Sequence, residues 1–459
     1  MKYKLKQNIA LRGWIYLPYA ISDYETGNIA FLNKSQYDFL RRLLEYGEES
    51  INSVELISNN LFIQQLKEHE VIIPCDEGAA LTEWQEMKRF SNRYMNQAHW
   101  AVTGDCNYRC RHCNLSAPHA LYGELPLSDC LRIVDQLAET GIMNVSFTGG
   151  EVFFRKDIFT IIDALIEKKI SIKQIFTNGA LVSEKVLDAM SERRINPSFE
   201  ISFDGCGWHD WLRNVKGAEK RATKTFDLLK KYGFSCSTGM VVHQNNKHTL
   251  RDTVLFLADH NVKFLKASKI YDAGEWTNEK GAFDMSDKEI FEVFLDYIPQ
   301  YKKDGCPIDI QLSGFFAKEK NADNYVIPFK KNFDNENQLL DSLVCSDLRS
   351  SIYISPEGKL LPCAPMTGSY IEKEMPHILE KGLTDILTES TYLKYINCKV
   401  SHFFSENKEC RECPFRKDCG GGCRATSTIA GSYFSPDRST CLFFKGGYEK
   451  RIKDAWENA

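Results

Sequence analysis

Cys106-Asn107-Tyr108-Arg109-Cys110-Arg111-His112-Cys113 is the stretch that organises the rest of the chain. Its three cysteines follow a C-x3-C-x2-C spacing on one short loop, and the apolar run His99-Trp100-Ala101-Val102 leads into it. Three thiolates so placed can hold three irons of a cubane cluster and leave the fourth iron open to a small chelating molecule. A zinc site completed by His112 or a distant residue competes with that reading, but zinc hooks favour paired C-x2-C elements. The spacing therefore predicts an iron–sulfur loop after the first strand of a larger unit.

That unit shows in the alternating texture of residues 98–310. Strand-like runs recur at 144–147, 173–176, 198–203, 238–242 and 262–265, with helical patterns near 128–140, 156–169, 183–194, 217–232, 249–260 and 286–303. Six strands separated by helices predict parallel βαβ units, hence an α/β fold that is a barrel or an open doubly wound sheet. Upstream, residues 1–85 hold a Tyr24-Glu25-Thr26-Gly27-Asn28 turn and the strand-like Ile29-Ala30-Phe31-Leu32. A helix capped by Ser35 follows, with Tyr37, Phe39, Leu40, Leu43 and Leu44 on its apolar side. Two more helical stretches and a short strand at Val71-Ile72-Ile73-Pro74 complete what is expected to be a separate small domain. Residues 311–344 read as a linking segment, 318–340 being rich in Lys, Asn and Asp.

The composition narrows the function. Hydrophobic residues are 43% and charged residues 26%, the balance of a globular chain, and the net charge of −4 disfavours a general nucleic-acid binder. No apolar run reaches membrane-spanning length, and Arg12 and Pro18 interrupt any signal-like start, so a cytoplasmic protein is expected. Sixteen cysteines in such a chain point to metal rather than disulfides. Seven of the cysteines in residues 345–459 stand at fixed spacings: Cys345, Cys363, Cys410, Cys413, Cys419, Cys423 and Cys441, with Gly358 between the first two. That segment shows little helical periodicity, so bound metal is expected to organise it. Cys75, Cys130, Cys206 and Cys236 have no motif partner and read as core packing.

Together the two cysteine fields resemble the radical S-adenosylmethionine peptide maturases that carry a seven-cysteine SPASM region. The resemblance implies a partial (β/α)6 TIM barrel over 98–310, followed by a SPASM domain over 345–459. It implies three [4Fe-4S] clusters: one on Cys106, Cys110 and Cys113, one on Cys410, Cys413, Cys419 and Cys441, and one on Cys345, Cys363 and Cys423. The fourth ligand of the last is left to Cys306, Cys398 or an open site. S-adenosylmethionine contacts fall by resemblance on Gly149, Gly150, Glu151, Asn178, Ser202, Asp204 and Arg213, with the Glu151 carboxylate matching the methionine ammonium, while Asn178 and Asp204 equally fit turn-forming residues. In that family a reduced cluster cleaves the sulfonium to a 5′-deoxyadenosyl radical that abstracts hydrogen from carbon.

Residues 1–85 resemble the winged-helix-like domain by which such maturases bind a precursor's leader peptide through strand addition. The stretch from Ser202 to Glu219, with Trp208 and Trp211, is similar to a loop of streptide-type and sactisynthase-like maturases. The expected function is an intramolecular carbon–carbon or thioether crosslink in a ribosomal precursor peptide, with an external one-electron reductant such as flavodoxin or ferredoxin, and without nucleic acid or membrane partners. Sulfatase-maturase-like oxidation, peptide epimerisation and a multi-cluster electron-transfer protein are the alternatives. Tyr271, Asp272 and Glu275, just past the sixth strand, are candidates for the base that removes the substrate proton; Gly274 between them also fits an ordinary solvated turn.

Overall fold

The computed structural model describes residues 1–76, 80–119, 121–279 and 281–459. Strands β1 (Lys2–Leu5), β2 (Ile9–Gly13), β3 (Ala20–Asp23), β4 (Ile29–Phe31), β5 (Ile72–Cys75) and β6 (Lys88–Arg89) belong to the amino-terminal unit. β4, β3 and β2 form an antiparallel ribbon, β6 joins β2 in parallel, and β1 pairs only with β5. The helix Lys34–Tyr46 buries Phe39, Leu40, Leu43 and Leu44 as its periodicity requires. Its cap is Asn33 rather than Ser35: the Asn33 carbonyl oxygen of the side chain accepts from the Gln36 amide, and Gln36 closes a capping box that Ser35 cannot.

The central unit supplies β7 (Gln97–Ala101), β8 (Asn144–Thr148), β9 (Ser171–Thr177), β10 (Ser198–Ser202), β11 (Cys236–Val242) and β12 (Phe264–Lys269), adjacent and parallel in that order. Each connecting helix buries one stripe on the sheet. Leu127–Glu139 buries Cys130, Ile133, Val134 and Leu137, and Ile158–Glu167 buries Ile158, Ile161, Ile162 and Leu165. Each such side chain contributes roughly 1.5–3 kcal/mol on burial, which outweighs the marginal stability of helices this short on their own.

The sheet does not stop at six strands. β13 (Asp309–Leu312) extends it in parallel beyond β12, β14 (Phe316–Lys318) turns back on β13, β15 (Ser351–Ile354) adds in parallel to β7, and β16 (Leu360–Leu361) pairs with β15. The stretch read as a linker therefore includes β14 and a helix, Glu336–Asp341, with Leu339 buried. The carboxyl-terminal region, read as poor in helix, is a string of short helices ending in Arg438–Lys445 and Tyr448–Glu457. Its Phe403, Phe443 and Ile452 share one continuous core with the barrel, so packing as well as its cysteines can hold it in place. Of the unassigned cysteines, Cys130 and Cys236 are buried and Cys75 and Cys206 half-buried.

Candidate active site

The loop after β7 is tied to the loop after β8 by main-chain bonds. The Gly150 amide donates to the Thr103 carbonyl (2.8 Å) and the Glu151 amide to the Asp105 carbonyl (2.9 Å). Gly149 and Gly150 are required there, because a Cβ on either would fall inside the Thr103 or Asp105 carbonyl. Gly150→Ala should push the Asp105 carbonyl, and with it neighbouring Cys106, out of place. We expect the reconstituted variant to bind S-adenosylmethionine about tenfold or more weakly by equilibrium titration, a loss of about 1.4 kcal/mol.

Cys106, Cys110 and Cys113 rim a cavity of about 360 Å³ at the carboxyl ends of the strands. Each sulfur already receives at least one donor, and Cys106 a second from Asn178 Nδ2 at 3.9 Å. The Tyr108 amide lies 3.3 Å from Cys106 Sγ, the Ala117 amide 3.4 Å from Cys113 Sγ, and Arg213 Nη1 3.8 Å from Cys110 Sγ. Donors to thiolate sulfurs are how proteins support cluster ligands. Burial pushes Cys106 up to about 12 and raises Cys110 and Cys113 as well, so these thiols ionise only with a counter-charge such as bound iron. His112 lines the same cavity with its Nδ1 buried and unpartnered, and burial followed by the Arg213 charge pushes it down to about 3. A neutral imidazole, three thiols and two close-approach glycines facing one cavity fit a cubane with a chelating ligand. Among the described residues no three His, Cys, Asp or Glu side chains converge as around a single ion.

The expected ligand contacts divide. Gly149, Gly150, Asn178, Ser202 and Arg213 line the cavity. Glu151 and Asp204 lie behind that lining. The Glu151 carboxylate is fully buried and accepts from the Thr177 hydroxyl (2.7 Å), the Asn178 amide (2.8 Å) and the Phe153 amide (3.2 Å). It clamps the ends of β8 and β9. Asp204 is also fully buried and holds Arg213 in a two-pronged pair, 2.7 Å to Nε and 3.2 Å to Nη2. Burial would raise Asp204, but the Arg213 charge overrides it and holds the carboxyl far below its usual range. Asp204 thus positions Arg213, and Arg213 reaches Cys110.

The base candidates separate too. Tyr271 lines the cavity but stays 45% exposed, so crowding around its ring, then the neighbouring Cys423 and Cys363, only raise its hydroxyl above the ordinary value. Asp272 is exposed and outside the cavity lining. Glu275 points its carboxylate to His119 Nε2 (3.3 Å), while its amide donates to the Cys113 carbonyl (3.0 Å). Gly274 packs so closely on that carbonyl that a Cβ there would collide with it. The segment after β12 is therefore a brace for the cysteine loop, and Tyr271 alone of the three faces the cavity. Trp208 and Trp211 lie outside the lining; Trp211 packs on Phe283, His243 and the Arg111 guanidinium.

A second small cavity is rimmed by Cys410, Cys413, Cys419 and Cys441 between Phe404, Phe415 and Phe444. Burial pushes Cys410 up to about 11 and Cys419 up to about 12. Cys363 is pushed up to about 12 by burial and then by the neighbouring Cys423 and Cys345 thiols, so these three form a further set. Ala364 and Pro365, next to Cys363, line the first cavity, as does Tyr353 of β15. Sequence reasoning missed this wall because it depends on the pairing of β15 with β7, over 250 residues apart by the register Ser351 to Gln97. Cys306 lies against Tyr301 before β13, and Cys398 turns its sulfur to the Lys399 carbonyl.

A fold of parallel strands with a three-cysteine loop at its carboxyl end and two further cysteine sets defines an iron–sulfur enzyme of a known class. Residues 100–257 match the radical SAM superfamily and residues 345–414 the SPASM iron–sulfur cluster-binding domain. The chain is a radical S-adenosylmethionine enzyme with an auxiliary iron–sulfur domain. It is 25% identical over 340 residues to the antilisterial bacteriocin subtilosin biosynthesis protein AlbA of Bacillus subtilis, covering 72% of this chain and 68% of that one. It is 24% identical over 333 residues to the PqqA peptide cyclase of Granulibacter bethesdensis, covering 70% and 80%. In fold it is similar to Streptococcus suis SuiB bound to precursor peptide SuiA, with a TM-score of 0.66 at 16% identity over 96% of this chain and 99% of that one.

Proposed function

We propose that this enzyme closes an intramolecular carbon–carbon or thioether crosslink in a ribosomally made precursor peptide whose leader docks on residues 1–85. The observation that carries the reading is the shared cavity, with the Cys106–Cys113 loop on one wall and the Cys363 segment on the other. Bound there, a cluster and S-adenosylmethionine supply a 5′-deoxyadenosyl radical for hydrogen abstraction. The chain's residues do the rest. Gly149 and Gly150 let backbone approach the ligand, Asn178 and Ser202 offer hydrogen bonds, and Arg213 holds positive charge beside Cys110. Tyr271, kept protonated, can donate a hydrogen bond to substrate but is a weak base. Three [4Fe-4S] clusters are proposed on the three cysteine sets, with flavodoxin or ferredoxin as reductant. No helix among the described residues is long and apolar enough to cross a membrane.

The leader site is supported by β4, which is the edge of its sheet and largely exposed. The bonds from Asp23 N to Asn28 O and from Leu32 N to Tyr19 O fix the ladder so that Ile29 and Phe31 turn their amides outward. An added strand would pair with those amides. Phe31→Pro removes one outward donor without breaking a bond to β3. We expect it to weaken precursor binding about tenfold while uncoupled S-adenosylmethionine cleavage is unchanged, a loss of roughly one charge-free hydrogen bond. Unaltered binding and turnover of the precursor by this variant would remove β4 as the leader site.

A further inference from the structure

Two cations, the half-buried Lys331 and the buried Arg424, lie among the auxiliary cysteines without an acidic partner. Lys331 lies in the segment between β14 and the helix Glu336–Asp341. Its amide donates to the carbonyl of Asp418 (2.7 Å), the residue before Cys419, and its Nζ donates to the carbonyl of Val344 (2.6 Å), the residue before Cys345. A Cβ on Gly420 would meet Lys331 Cδ at 3.0 Å, so the stem runs flush along the backbone beside Cys419. One side chain thus joins the ligand segments of both proposed auxiliary clusters. Arg424, next to Cys423 in sequence, is only 1% exposed and donates to the carbonyls of Gly421, Tyr433 and Ser435, yet its Nε has no partner. Among the described residues no carboxylate forms an ion pair with either cation.

A cation drawn even partly out of water without a counter-charge is costly, and two such cations beside the same cysteines mark the place of an anion. Iron–sulfur cubanes held by thiolates are net negative and become more so on reduction, and nearby charge is one of the terms that set their potential.

We propose that Lys331 is a shared counter-charge for the two auxiliary clusters, stabilising the reduced form of each. It is a positioning residue: it touches neither substrate nor reacting atoms, and it acts through the clusters. Arg424 supplies the second fixed positive charge on the Cys423 side. The inference rests on assigning Cys345, Cys363 and Cys423 to one cluster and Cys410, Cys413, Cys419 and Cys441 to another.

The test is a redox titration of the reconstituted full-length holoprotein followed by electron paramagnetic resonance. Lys331→Met at full iron content should move both auxiliary midpoint potentials to more negative values and leave the Cys106–Cys113 cluster where it was. Lys331→Arg should return both towards the parent values. If Lys331→Met loses auxiliary iron, Lys331→Gln serves instead, since its amide keeps a donor for the Val344 carbonyl while removing the charge. Auxiliary potentials that stay put in the neutral variant, or a shift in one cluster alone, overturn the proposal. Iron for only one cluster in the parent protein would instead overturn the ligand assignment beneath it.

Discussion

Replacing Cys106, Cys110 and Cys113 together with Ala is expected to abolish reductive cleavage of S-adenosylmethionine and to lower bound iron from about twelve to about eight per chain, one cubane's worth. The three sulfurs sit on one loop, each with its own donor, and they rim a cavity lined by none of the other motif cysteines. Removing them leaves the Cys410–Cys441 cavity intact, because its walls come from Phe404, Phe415 and Phe444. Iron and sulfide assays after anaerobic reconstitution, beside chromatography for deoxyadenosine, read both halves of the result. Deoxyadenosine above the protein-free background would contradict the assignment of the loop, and loss of all iron would contradict the independence of the auxiliary sets.

Asp204→Ala should cost about 3–5 kcal/mol of stability, the size found when one member of a buried ion pair is removed and the other left uncompensated. The stranded partner is Arg213, which also loses the support that aims it at Cys110. Anaerobic denaturant unfolding measures the loss. The pH dependence carries a sign. The folded Asp204 carboxyl is held far below its ordinary value, so its contribution is fully present above about pH 4, where the unfolded chain ionises, and is lost as pH falls towards the folded value. The gap between parent and variant should therefore be flat from neutral pH down to about pH 5 and close only in stronger acid. A gap that closes near neutrality would mean Asp204 is not the charged partner.

Much of this was legible in local sequence. The helix stripe Cys130, Ile133, Val134 and Leu137 and the run Asn144–Thr148 announce themselves through spacing alone, and the three-cysteine loop does so through ligand chemistry. What stayed hidden depends on contacts between remote segments. Lys331 looked like linker because its bonds go to Asp418 and Val344, which no local pattern pairs with it. Tyr353 and Pro365 reach the cavity only once β15 has joined β7. Resemblance names Glu151 and Asp204 among the ligand contacts, but it cannot show what their carboxylates bond to within the fold. Which way a carboxylate turns depends on donors such as Thr177 and Arg213 in neighbouring strands and loops.

The most direct test of the central claim is a single incubation of reconstituted enzyme, reductant and S-adenosylmethionine with each short peptide that open frames neighbouring its gene encode. The account predicts deoxyadenosine together with a peptide lighter by two hydrogens, whose fragmentation gives no cleavage between the two joined residues. Deoxyadenosine with a peptide of unchanged mass, and with every backbone bond still fragmenting, would contradict it.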